Sequence, residues 1–468
     1  MPIRRLAFLA LLALASLLVL ALGAAGPAFA AFAPHGLWEA TVGEPLSNDS
    51  WSGVAAGPDG SAYVAGTFGQ AWFPATGDIV VARYGAGDAA ASLTWMRRWD
   101  DPGAHGADIG VTLAVDKKGA VVVAGFSADT TGFYGWRVIK WSASGAQKWA
   151  ASFPAPLAGS NAFARDVAVD SSGDVYVCGS ETYGPGDPSG DDVALVVRKL
   201  SGSTGALLWE ARYTGPAAGY NAGDAIALDP AGNAYVTGYG DGTGETTDMV
   251  LAKYAHADGR KVWLRRIDGP DGADDEGITL AVTGAGVWMV GRAWSTADDT
   301  CRVLLVRYTL TGKRSWLRTW AEAPDASSYG DALAVDAAGN AVVAGSSNPS
   351  VVTWVHALLL RYSAKGKLLW SRVTYDEAQP FAEWRAVACL PKGDIWVGGD
   401  VKVVAGRWDW AVARYSPTGT ARWTSRWESP ADHNAGCMAI ALGKTGVLTA
   451  GRISSSGDTQ AILAKYKR

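Results

Sequence analysis

The sequence predicts an all-β fold: an eight-bladed β-propeller of four-stranded antiparallel blades, closed by its own N-terminal strand. Three observations carry this. A tryptophan recurs at Trp38, Trp95, Trp149, Trp209, Trp263, Trp316, Trp370 and Trp423, with spacings of 57, 54, 60, 54, 53, 54 and 53 residues; such a period marks a repeat architecture. Each copy brings similar glycines and a strand-ending cation. The first tryptophan stands alone, far from the strands it would complete.

The chain opens on a targeting segment. Arg4 and Arg5 precede an apolar run over residues 6–22, and small residues follow as far as Ala30. A basic start, an apolar middle and a small-residue cleavage site describe a secretory signal peptide. Residues 1–30 are therefore read as the signal and 31–468 as one propeller domain, secreted or otherwise extracytoplasmic (cell surface or periplasm). The alternative is a retained membrane anchor, because the run is just long enough to cross a bilayer with its flanks.

Composition agrees with an all-β chain. Of 468 residues, 49% are hydrophobic and 18% charged, enough to bury a large core. With 58 glycines and 22 tryptophans, short strands and tight turns are expected. A net charge of -4 gives no reason to expect nucleic acid, which requires a basic surface. The cysteines, Cys178, Cys301, Cys389 and Cys437, are far apart; export permits disulfides without specifying their pairing. Cys389 and Cys437 are out of register and are not expected to pair.

One repeat shows the elements in order. Residues 224–229 read as a first strand, 230–232 as a turn, 233–238 as a second strand, 248–254 as a third and 261–267 as a fourth. Such strands with turn signals between them form an up-and-down antiparallel sheet. The first hairpin carries Asp-x-x-Gly at Asp116, Asp170, Asp229 and Asp336, where aspartate favours the turn start and glycine its left-handed exit. The second strand is read as ending at Gly66, Gly125, Gly179, Gly238, Gly291, Gly345, Gly399 and Gly451. The third ends on a cation: Arg83, Lys140, Lys199, Lys253, Arg307, Arg361, Arg414 or Lys465. These cations are expected to pair with acids of the neighbouring blade. Third strands such as 303–306 are apolar throughout, as befits a sheet covered on both faces.

The strand count requires closure. After residue 50 the first three strands occur eight times each, but the fourth only seven, and the missing one is residues 37–42 around Trp38. Joining it to the last blade completes every sheet. An open array would leave exposed edges at both ends.

Residues 224–238 and 331–345 resemble the bacterial exported β-propeller repeat called SBBP. The second half of the repeat, as at Thr204–Trp209, is similar to the tryptophan-docking motif of quinoprotein-like eight-bladed propellers. That resemblance implies that the rings stack between blades and that all eight tryptophans are structural. Six of them follow a glycine by four residues: Gly145, Gly205, Gly259, Gly312, Gly366 and Gly419. A quinone-dependent dehydrogenase would need a ligand ring, a calcium site and often a vicinal disulfide. Here no two cysteines are adjacent and no matching ligand set stands out, so no cofactor is predicted.

Function is expected on the long-loop rim. Antiparallel order puts both hairpins of each blade on one rim and the longer connections on the other, where binding residues concentrate. The candidate ligand contacts there are Trp72, Phe73, His105, Tyr183, Tyr220, Tyr239, Trp294, Tyr329, Trp384, Trp408 and His433. The acids Asp271, Asp274, Asp275 and Glu276 are the candidates for calcium, though they lack the alternation of known calcium loops; solvated loop acids are the plainer reading. No metal-binding histidine spacing, nucleophile elbow or phosphate loop occurs. The expectation is an exported, monomeric, non-catalytic propeller that binds a protein or a cell-surface glycan. The alternative is a polysaccharide hydrolase or lyase with acids gathered at the tunnel mouth.

Overall fold

The computed structural model describes residues 36–468, except 44–46, 70–76, 105, 185–191, 217–218, 243–245, 270–271, 350–354, 375–380, 403–406, 428–433 and 456–457. The signal segment expected at 1–30 lies outside the described residues. Among the latter the chain forms thirty-two strands in eight four-stranded antiparallel sheets. Seven sheets, blades 1 to 7, use consecutive strands. The first strands of successive blades touch one another all round, and Ser50–Ala56 of blade 1 meets Asn434–Leu442 of blade 8. The ring is closed, with the first strands innermost.

Blade 8 takes its outer strand from the other end of the chain. Gly36–Val42 pairs antiparallel with Asp458–Lys467, Trp38 opposite Lys465 and Val42 opposite Ala461. This is the closure the strand count required.

Each blade is a partition between two cores. In Thr300–Tyr308, Leu304 and Val306 pack with blade 4, whereas Val303 and Leu305 pack with blade 6. A strand's side chains alternate faces, so both faces being apolar explains the continuous hydrophobic run. Eight such inter-blade clusters encircle the axis. Burying each Val or Leu stabilises the ring by about 1.5–3 kcal/mol against exposure.

The strand glycines require a correction. They lie within the second strands rather than at their ends: the strand containing Gly238 is Ala234–Asp241, and that containing Gly345 is Ala341–Pro349. Each faces an inner strand bent by a β-bulge, which inserts one unpaired residue and re-aims the chain. The bulges fall between Gly223 and Ala225 in blade 4 and between Gly330 and Ala332 in blade 6. An ideal Cβ on any of the eight glycines would lie 1.8–2.0 Å from an inner-strand carbonyl oxygen.

Each docking tryptophan bridges to the next blade. Seven indoles donate to a carbonyl in the following third-to-fourth turn, at 2.9–3.3 Å, from Trp38 to Gly87 round to Trp370 to Pro417. Trp423 stacks on Tyr466, centroids 6.0 Å apart, as Trp263 does on Tyr308 and Trp316 on Tyr362. The ring lies flat on the turn glycine: a Cβ at Gly259 would sit 2.5 Å from the Trp209 indole.

The strand-ending cations mostly serve their own blade, not the neighbour as expected. Lys253 reaches Asp229 at 3.3 Å, and Arg361 reaches Asp336 at 2.5 Å. Asp336 Oδ1 also accepts the backbone N–H groups of Ala338 and Asn340, so the cation locks the hairpin that the aspartate shapes. Lys465 does cross between blades, to Asp88 at 2.5 Å. All four cysteines are unpaired.

Candidate functional site

The long-loop rim holds the tunnel mouth, and the bulges build it. Their unpaired residues form a ring: Ser52, Val111, Arg165, Asp224, Ile278, Asp331, Arg385 and Met438. Four of the eight are charged: Arg165, Asp224 and Asp331 bond across blades, and Arg385 bonds within its own. Arg165 Nη1 lies 3.4 Å from Asp224 Oδ1, and Arg292 Nη2 lies 2.8 Å from Asp331 Oδ1. Arg385 binds Asp400 Oδ2 at 2.8 Å and also contacts Glu383.

A cavity of about 510 Å³ opens there, lined by Arg292, Tyr329, Asp331, Glu383, Arg385 and Met438 among others. A second, of about 360 Å³, shares Arg385 and Met438 and adds Asp400, Trp408, Asn434 and Arg452. Burial pushes the Asp224 carboxyl up to about 7; Arg165 opposes this and Glu276 adds to it. Burial likewise raises Glu383 to about 7, against Arg385 and with help from Asp400 and Asp331. Desolvation disfavours the charged carboxylate in both, and the guanidinium returns only part of that cost.

The expected rim aromatics divide. Tyr220 is exposed and stacks on Tyr239, centroids 5.9 Å apart and rings 8° from parallel. Trp294, also exposed, meets Tyr329 edge-on at 6.4 Å, and Arg292 lies over the Tyr329 ring at 5.4 Å. Trp408 is half-buried, with the Lys402 ammonium 5.6 Å from its ring. Tyr183 is half-buried against the core between blades 2 and 3. Trp384 is not a rim residue: it is 4% exposed and belongs to the core between blades 6 and 7. It sits within an inner strand, beside the bulge, where its ring fills the sheet interface. Trp72, Phe73, His105 and His433 lie outside the described residues.

The acids expected to act together at 271–276 do not converge. Asp271 lies outside the described residues. Asp274 is exposed and accepts from the Thr247 backbone N–H at 2.8 Å. Asp275 is buried, while Glu276 lies 3.7 Å from Arg292. Successive residues of a strand point to opposite faces, so Asp275 and Glu276 cannot share one ion.

Sequence reasoning missed the bulge ring. Its trace was a charge within the first strand, at Arg165, Asp224, Asp331 and Arg385. A second missed cluster lies on the hairpin rim, where Tyr176 Oη is 2.7 Å from His256 Nδ1 and donates to Asp170 Oδ2 at 3.2 Å. The His256 carbonyl accepts the Trp209 indole N–H, so this group braces a docking turn.

No family model matches the chain, and no curated protein matches it. Solved structures do resemble it. The quinohemoprotein alcohol dehydrogenase from Comamonas testosteroni is 12% identical with a TM-score of 0.54, over 93% of this chain and 76% of that one. BamB from Moraxella catarrhalis is 15% identical with a TM-score of 0.47, over 92% and 98%. At such identities the likeness is one of fold: the protein is an eight-bladed β-propeller.

Proposed function

We propose that this chain is an exported, monomeric, non-catalytic propeller of the SBBP-repeat type, with residues 1–30 as its signal segment and 31–468 as its domain. It binds a protein or a cell-envelope glycan at the tunnel mouth on the long-loop rim. The observation that carries this reading is the ring of bulge residues. A scaffold repeated eight times has diversified its bulge position, placing charges of both signs on the rim that also carries solvent-facing Tyr220 and Trp294. Rigid scaffolds with varied surface positions are the usual arrangement for recognition. Because each mouth acid already bonds a guanidinium, the surface favours recognition over acid–base chemistry. Pull-down from envelope extracts and a glycan array, comparing wild type with an Arg385→Ala/Tyr220→Ala variant, test the proposal. Capture that is equal for both proteins removes it.

One observation favours the second reading, a polysaccharide hydrolase or lyase. Asp224 and Glu383 have carboxyls raised to about 7, which suits a general acid. Glycan turnover lost in Glu383→Gln while binding persists would establish that reading over the first.

A further inference from the structure

Two blade junctions carry the same three aspartates in the same three places. Between blades 1 and 2, Asp78 opens the third strand Asp78–Tyr84, Asp100 follows the fourth strand Leu93–Trp99, and Asp108 opens the next inner strand, Asp108–Val115. Between blades 4 and 5, Asp248 stands on Thr247–Tyr254, Asp268 follows Lys261–Ile267, and Asp275 opens Asp275–Thr283. In each trio, one carboxylate oxygen per residue lies within 4.8 Å of the others. Calcium holds its oxygen ligands at about 2.3–2.6 Å, so two ligands of one ion stand at most about 5 Å apart.

Hydrogen bonding leaves one oxygen of each innermost carboxylate unmatched. Arg98 contacts Asp78, and Arg266 binds Asp248 at 2.6 Å. The innermost carboxylates are 0% exposed (Asp108) and 1% exposed (Asp275). Oδ2 of Asp108 accepts the Asp101 N–H at 2.8 Å, and Oδ2 of Asp275 accepts the Gly269 N–H at 2.5 Å. Oδ1 of each accepts no hydrogen bond. Ser127 lies close enough to lower the Asp108 pKa but makes no bond of normal geometry. A buried carboxylate oxygen without a donor is costly and calls for an explanation, and here it recurs at equivalent positions. Ser328, the equivalent residue in blade 6, bonds Ser347 and the Glu322 N–H instead.

We propose that Asp78–Asp100–Asp108 and Asp248–Asp268–Asp275 each bind one calcium ion, pinning the connection between consecutive blades on the long-loop rim. The test is titration of the chelator-treated full chain with calcium alone, followed by calorimetry and thermal melting. The expected result is two ions per chain and a raised Tm. The solvent-exposed variants Asp100→Asn and Asp268→Asn each weaken one site at least tenfold, and the double variant loses both. Absence of binding by wild type, wild-type binding by the double variant, or preference for magnesium overturns the proposal.

Discussion

The carbonyl oxygen of Ala222 occupies the place where a side chain at Gly238 would begin, 2.0 Å from an ideal Cβ. The inner-strand bulge pushes that oxygen across, and only glycine accommodates it. Gly238→Ala therefore forces backbone apart inside a closed ring, and overpacking of rigid surroundings costs about 3 kcal/mol or more. Gly132→Ala is the control: its φ is +89°, but a Cβ there meets nothing within 4 Å. Only the left-handed backbone penalty of about 1–2 kcal/mol then applies. Denaturant unfolding of the two variants checks the contrast.

The same glycine shows what the sequence concealed. The repeat exposed the blade count, the hairpins and the seam, because turn chemistry and apolar runs are local. Gly238 was read as a strand terminator since glycine usually punctuates, and its partner carbonyl lies sixteen residues away in sequence. The mouth was harder still. Ser52, Val111, Arg165 and Met438 share a position but no chemistry, so no motif joins them. The contiguous acids of 271–276 drew attention, whereas Asp248, Asp268 and Asp275 meet only because three separate elements converge.

Trp209 joins blade 3 to blade 4 by packing on Gly259 and donating to the His256 carbonyl at 3.1 Å. Trp209→Phe keeps most of the ring contact and loses the hydrogen bond, at about 1 kcal/mol. Trp209→Ala loses the packing too, at about 3–5 kcal/mol. A Trp209→Phe cost near zero in equilibrium unfolding would show that the indole N–H contributes nothing, and a cost equal to that of Trp209→Ala would show that the ring packing does not.

The seam depends on Trp38, whose indole donates to Gly87 of blade 1 at 2.9 Å while its strand pairs with Asp458–Lys467. Removing residues 1–42 leaves that strand as an open edge, and unpaired edges recruit other chains. The truncated protein is expected to elute as oligomers in size-exclusion chromatography, where the chain beginning at residue 31 elutes as a monomer.

Asp224 sets a pH dependence whose sign follows from its raised carboxyl, about 7 in the folded chain. A pKa raised on folding contributes stability that is full below the unfolded value near 4 and lost as pH rises through 7. Asp224→Asn carries no proton to lose. The variant should match wild type near pH 4 and exceed it above pH 7, by an amount on the order of 2 kcal/mol. Arg165, freed of its partner, is part-exposed and stays hydrated. Unfolding free energies across pH 4–8 check this, and parallel curves would refute it.

Arg385 is the mouth residue best placed to distinguish recognition from scaffold. It is the bulged residue of its inner strand, it lines both mouth cavities, and it holds Asp400 and Glu383. Arg385→Ala should weaken partner capture at least tenfold, since truncating one member of a charged contact costs about 2–5 kcal/mol when the other stays desolvated. Stability alone cannot produce that result if Arg385→Lys, which keeps the charge but loses the planar fork, restores the melting temperature without restoring capture. Lys118→Ala, on the opposite hairpin rim, should leave capture unchanged. Binding lost in Lys118→Ala and kept in Arg385→Ala would place the partner on the hairpin face.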